Sequence, residues 1–257
     1  MAIRGTTKTL LQAALVFVGA GLVARAMRPR QSPTRKRKPE ADCSKVTDNG
    51  GTIEGVKYVE RVRGGASPDE TLPLIVVLHS KGGNPTGAAS FSGLPAKARV
   101  VAPAGAHRFG QGYEWVQANS KTDLPGFERD LQAATARLES FIRALMQCRP
   151  TEGKPIVTGA SQGGHMTYAM ASLYPSLIRG GVALLGYIPP NLWNPGMAMT
   201  YGLHTTGDNT VPYDRTVQMW ESLQRQGAQL STQSFPGGHS IPSAMGQAWR
   251  ERVLDLL

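Results

Sequence analysis

From Val56 to the C-terminus, short apolar runs alternate with longer stretches in which apolar residues recur at helical spacing. The strand-like runs near Val56–Val62, Leu74–His79, Val100–Ala102, Pro155–Thr158, Gly181–Leu185, Met199–Thr205 and Leu230–Phe235, most of them rich in Val, Leu or Ile, predict strands. Gly126–Gln147, Gly163–Ser172, Val211–Gln226 and Ile241–Leu256 predict helices. Such alternation implies an α/β fold: a mostly parallel central sheet with helices on both faces. No internal repeat is visible. Ala104–Pro125 and Tyr187–Gly196 predict loops, and little chain is left for a lid.

Ahead of this region the pattern changes. Leu10–Ala24 is apolar except for Gln12, Arg4 and Lys8 precede it, and Ala24-Arg25-Ala26 has the form of a cleavage site. Residues 1–26 therefore read as a signal peptide, with an uncleaved membrane anchor as the alternative, because the basic tract that follows resists translocation. Residues 27–52 read as a basic, Pro-containing linker and 53–257 as the catalytic domain. Export to the periplasm or medium is the expected localisation, and membrane anchoring the alternative.

The net charge of +10 suggests a nucleic-acid partner until it is located. Nine of the 28 Lys and Arg residues lie in 1–38, which holds no Asp or Glu, leaving 19 basic against 18 acidic residues. The domain is nearly neutral, so no nucleic-acid face is expected.

The chemistry centres on Gly159-Ala160-Ser161-Gln162-Gly163-Gly164, which follows Pro155-Ile156-Val157 and opens a helical pattern. A serine at such a strand-to-helix turn is a candidate nucleophile. It needs a base, and the base needs an acid that fixes its tautomer, in the chain order serine, acid, histidine. His239 is the only histidine beyond Asp208. Between Ser161 and His239 the acids are Asp208, Asp214 and Glu221; the last two fall in an amphipathic helix, whereas Asp208 follows a strand in a Gly-Asp-Asn turn. The candidate catalytic set is Ser161, Asp208 and His239. Backbone N–H groups of Lys81, in the loop after an early strand, and Gln162 are candidate oxyanion donors, with the Lys81 side chain facing solvent. His79, Trp115 and Tyr187 are candidate substrate contacts, although His79 ends a buried strand and suits bracing the loop. Cys43 and Cys148 are too widely spaced for a metal site and form a candidate disulfide if the domain is exported. No metal-ligand cluster or nucleotide loop is present, so no metal and no cofactor are expected.

Together Leu78-His79-Ser80-Lys81-Gly82, Gly159–Gly164, Gly186-Tyr187-Ile188-Pro189-Pro190 and His204-Thr205-Thr206-Gly207-Asp208-Asn209-Thr210-Val211-Pro212 resemble motifs of the alpha/beta-hydrolase superfamily. The likeness is to its compact carboxylesterase/phospholipase branch, which includes acyl-protein thioesterase-like enzymes. The branch reads Leu-His-Gly-x-Gly, Gly-x-Ser-Gln-Gly-Gly, Ser-Gly-Tyr-x-Pro and His-Gly-x-x-Asp-x-x-Val-Pro. Ser80 and Thr205 stand here in place of glycine, and Leu185 in place of serine. The resemblance implies an alpha/beta-hydrolase fold with a small or absent lid, acting on a small-molecule carboxylic ester or thioester through an acyl-enzyme. The alternatives are a peptidase or amidase on the same fold, or a catalytically silent membrane-tethered binding module. Oligomeric state is left open.

Overall fold

The computed structural model describes residues 40–90 and 96–257. The signal-peptide or anchor reading of 1–26, and the linker reading as far as residue 39, lie outside the described residues. Among the described residues no helix is long and apolar enough to cross a membrane.

The elements in chain order are β1 (Val46–Thr47), β2 (Gly50–Ile53), β3 (Val56–Arg63), β4 (Leu72–Leu78), α1 (Pro85–Ser90), β5 (Ala98–Pro103), β6 (His107–Phe109), β7 (Gly112–Glu114), α2 (Leu124–Cys148), β8 (Thr151–Ala160), α3 (Gln162–Leu173), β9 (Gly180–Leu184), β10 (Met199–Thr205), α4 (Tyr213–Arg225), β11 (Leu230–Phe235) and α5 (Ser243–Asp255). One sheet runs β1-β2-β3-β5-β4-β8-β9-β10-β11. From β5 to β11 every pairing is parallel, and β1 to β3 add an antiparallel edge.

Burial on both faces explains why the central strands lack polar alternation. Leu74, Val76 and Leu78 of β4 join a core with Phe127, Leu131 and Leu138 of α2, Met166 and Met170 of α3, and Trp220 of α4. Ile75 and Val77 of the same strand join a second core with Ala88 of α1 and Trp249 and Val253 of α5. Helix α2 starts where the Asp123 carboxylate accepts the Gly126 N–H at 2.9 Å, with Pro125 in its first turn.

Two sequence boundaries need correction. The sheet starts at Val46, inside the segment read as linker, because β2 forms a full register with β3 that the glycine-rich composition of 50–51 hides. Part of the stretch read as loop over 104–125 is instead the hairpin β6–β7, whose short polar strands carry little apolar signal. Cys43 and Cys148 are disulfide-bonded, which ties the start of the described chain to the end of α2.

That edge is also held by charge. Glu60 on β3 is fully buried; one carboxylate oxygen accepts from Arg99 of β5, and the other accepts the Arg149 Nε–H at 3.1 Å. Arg99 also donates to the carbonyl oxygens of Pro68 and Glu70 at 2.8 and 3.1 Å, and Arg149 to that of Thr47 at 2.7 Å. Removing the Glu60 charge leaves the buried Arg99 guanidinium uncompensated. Glu60→Gln should therefore lower unfolding free energy by about 3–5 kcal/mol, read from the urea midpoint; an unchanged midpoint would contradict the assignment of this network as a structural clamp.

Candidate active site

Strands β8, β9, β10 and β11 are parallel neighbours, so their C-terminal ends share one edge of the sheet. Ser161 follows β8, Asp208 follows β10 and His239 follows β11. Residues far apart in sequence are thereby delivered to one place.

Ser161 sits between β8 and α3 at φ +56° and ψ −118°. A non-glycine residue held there stores about 1–3 kcal/mol of strain. Close backbone contact maintains it. A Cβ on Gly159 would lie 2.6 Å from the Leu78 carbonyl oxygen, and one on Gly163 would lie 2.2 Å from the same atom. Only glycine permits β4, β8 and α3 to meet this tightly. Leu185, just after β9, is also left-handed, at φ +52°, and borders a cavity that Ser161 lines.

Ser161 Oγ lies 2.9 Å from His239 Nε2, and His239 Nδ1 lies 2.7 Å from Asp208 Oδ2. A buried carboxylate can only accept, so the imidazole proton is on Nδ1 and Nε2 is free to take the serine proton. Asp208 Oδ1 accepts the N–H groups of Thr210 and Val211 at 2.9 and 3.0 Å, which fixes the carboxylate. The Asp208 side chain is fully buried and that of His239 about one-quarter exposed. The buried His204 places Nε2 4.0 Å from the same Asp208 Oδ2, without a hydrogen-bond partner among the described residues.

The candidate oxyanion donors border the same cavity of about 820 Å³ as Ser161 and His239. Gln162 opens α3, so its N–H has no acceptor within the helix. Lys81 follows β4 in a loop secured by the Gly82 N–H on the Tyr113 carbonyl at 2.8 Å. The Lys81 side chain, read from sequence as solvent-facing, is half-exposed and paired: Nζ lies 2.8 Å from Glu114 and 4.4 Å from the Phe109 ring centroid.

The three candidate substrate contacts are not among the residues that line this cavity. His79 is buried; its Nε2 accepts the Gly105 N–H at 2.9 Å and its Nδ1 lies 2.8 Å from the Ser80 carbonyl oxygen, so the ring braces the loop and borders a neighbouring cavity of about 280 Å³. Trp115 stacks on His79 and donates Nε1–H to the His79 carbonyl at 2.8 Å, a loop anchor. Buried Tyr187 donates its hydroxyl to the Ser120 carbonyl at 3.1 Å and thus sits behind the wall. The sequence reading also missed the Gln162 side chain, whose amide accepts the Trp115 N–H at 2.9 Å and donates to the Val116 carbonyl at 2.8 Å. Its wall-holding role had one visible signal, a bifunctional amide beside the serine. Phe127 and Ile241, apolar positions in helical patterns, line the cavity with no such signal.

Burial lowers the pKa of three histidines around the site. His165 falls from 6.5 to about 4 because burial outweighs its contact with the Tyr187 carbonyl; His79 and His204 shift downward for the same first cause. Each is neutral when folded and protonated when unfolded just below pH 6.5, so the unfolded state binds more protons and stability is lost as pH falls through that value. For His165 the loss continues to about pH 4, with a slope of about 1.4 kcal/mol per pH unit. Urea midpoints should drop from pH 7 to pH 5, and drop less in His165→Gln; equal pH dependence in the two proteins would exclude His165 as a contributor.

Comparison with known proteins agrees with this architecture. Residues 101–253 match the family model described as Phospholipase/Carboxylesterase. Carboxylesterase SOBER1 of Arabidopsis thaliana is 29% identical over 102 residues, covering 33% of this chain and 41% of that protein. The chain spans less than half the length of the curated relatives it matches. Esterase PE8 superposes with a TM-score of 0.63 at 20% identity, over 77% of this chain and all of that one. Acyl-protein thioesterase 2 of Zea mays superposes with a TM-score of 0.58 at 20% identity, over 77% and 99%. These likenesses show the alpha/beta-hydrolase fold. With the family match covering more than half of its residues, the chain belongs to the phospholipase/carboxylesterase family.

Proposed function

We propose that this protein is a serine hydrolase of carboxylic esters, thioesters among them, with Ser161 as nucleophile, His239 as general base and acid, and Asp208 as the group that orients His239. The observation that carries the reading is the continuous chain Ser161 Oγ, His239 Nε2, His239 Nδ1, Asp208 Oδ2, at 2.9 and 2.7 Å, with the tautomer set by a buried carboxylate. A silent binding module has no need of that alignment, nor of a strained serine.

The chemistry follows from the geometry. Ser161 Oγ attacks the ester carbon as His239 Nε2 takes its proton. The carbonyl oxygen becomes an oxyanion held by the N–H groups of Lys81 and Gln162. The resulting imidazolium is stabilised by Asp208. Collapse of the tetrahedral species expels the alcohol or thiol, which leaves with the proton from His239. A water molecule then repeats the sequence on the acyl-Ser161 ester, releasing the acid and restoring the serine. The cavity volume suits a small-molecule ester, and its walls mix apolar Val116, Phe127 and Ile241 with polar Asn119 and Ser120.

Purified protein should hydrolyse p-nitrophenyl esters, and a panel of rising chain length reads out the acyl preference. Ser161→Ala and His239→Ala should reduce kcat by about four to six orders of magnitude, and Asp208→Asn by about four, with thermal unfolding close to wild type. Near-normal turnover by a folded Ser161→Ala protein would overturn the assignment.

A further inference from the structure

The chain departs from the glycines of the motifs it resembles at Ser80 and Thr205, and both side chains make a hydrogen bond between parts of the site. Ser80 Oγ donates to the Ala160 carbonyl at 3.0 Å, joining the residue before Lys81 to the residue before Ser161. Thr205 Oγ1 donates to the Gly238 carbonyl at 2.6 Å, joining the strand that leads to Asp208 to the residue before His239. We propose, building on the Ser161 reading above, that these hydroxyls are latches: Ser80 and Thr205 are positioning residues that hold the oxyanion loop against the nucleophile elbow and the base loop against the acid strand.

The loops they secure have little stiffness of their own. His239 is preceded by Pro236-Gly237-Gly238, with Gly237 at φ +136°, and consecutive glycines leave the backbone free to sample many conformations. Apart from the Thr205 latch, this loop is tied back to the acid turn by the Gly207 N–H on the Gly237 carbonyl at 2.8 Å. Gly237 also faces the Thr205 methyl, since a Cβ built there would lie 3.6 Å from Thr205 Cγ2. The oxyanion loop likewise contains Gly82 at φ +75°. It is held on one flank by Tyr113 and Trp115, and Ser80 supplies the tie on the other, to β8. A glycine at either position would leave its loop without that restraint. Small displacements of the base or of an oxyanion donor act on the chemical step more than on substrate affinity.

Thr205→Ser and Thr205→Ala lose the same methyl group and differ only in the hydroxyl. The latch predicts kcat near wild type for Thr205→Ser, and a kcat lowered about 10- to 100-fold with little change in KM for Thr205→Ala, measured on full-length protein with p-nitrophenyl acetate. Ser80→Ala should also lower kcat, and the double variant Ser80→Ala/Thr205→Ala should show the product of the two losses, because the hydroxyls act on separate loops. Equal kcat for Thr205→Ser and Thr205→Ala, with only the melting temperature altered, would reduce Thr205 to a packing role and overturn the proposal. Should Thr205→Ala not fold, Ser80→Ala at its half-buried site decides in the same assay, with an unchanged kcat counting against the latch. Ser161→Ala separates the two levels. An active Ser161→Ala protein sinks the nucleophile reading itself, whereas an inactive one beside fully active latch variants sinks only the latch.

Discussion

The left-handed backbone at Ser161 is the constraint on which the rest of the site depends. A serine at φ +56° is unfavourable by itself, and it persists because β4, β8 and α3 close on one another through Gly159 and Gly163 against the Leu78 carbonyl. The same closure sets two other geometries at once. It places Gln162 at the N-terminus of α3 directly after the serine, and it brings the loop that follows β4, with Lys81, to the same cavity. Packing in the two cores therefore reaches the chemistry through a few backbone contacts rather than through long side chains.

Around that fixed point the loops are less constrained and are tied in one by one. Asp208 is fixed by two backbone N–H groups, His239 by Asp208, the 115–116 wall by the Gln162 amide, and the loop after β4 by His79 and Trp115. Ser80 and Thr205 fit this pattern, each adding a hydroxyl where a glycine would add none. Elsewhere, the Glu60 clamp holds the antiparallel edge to the parallel sheet, and the Cys43–Cys148 disulfide ties the start of the described chain to the end of α2.

Much of this was legible in the sequence because it depends on order and small-residue spacing. The seven strand-like runs fall on strands, and Ser161 and Asp208, chosen with His239 from chain order and turn placement, each lie within hydrogen-bonding distance of His239. What was not legible rests on tertiary contact. The pairing of glycine-rich β2 with β3 leaves no apolar signature, and neither does the polar hairpin β6–β7. By residue type Trp115 and Tyr187 suit a cavity, yet both turn their polar ends to backbone carbonyls, a choice set by where His79 and Ser120 lie in three dimensions. His79 follows the same logic: a buried imidazole with one acceptor and one donor contact to backbone is a brace.

The central claim is that Ser161 is an activated nucleophile whose reactivity comes from His239 and Asp208. Its most direct test is covalent: incubate the protein with a fluorophosphonate, digest it and locate the adduct by peptide mass spectrometry. The account predicts one phosphonyl group per chain, on Ser161, formed far more slowly in His239→Ala and blocked by an ester that the enzyme turns over. A folded protein that stays unlabelled, or that carries the adduct on any other serine, would contradict it.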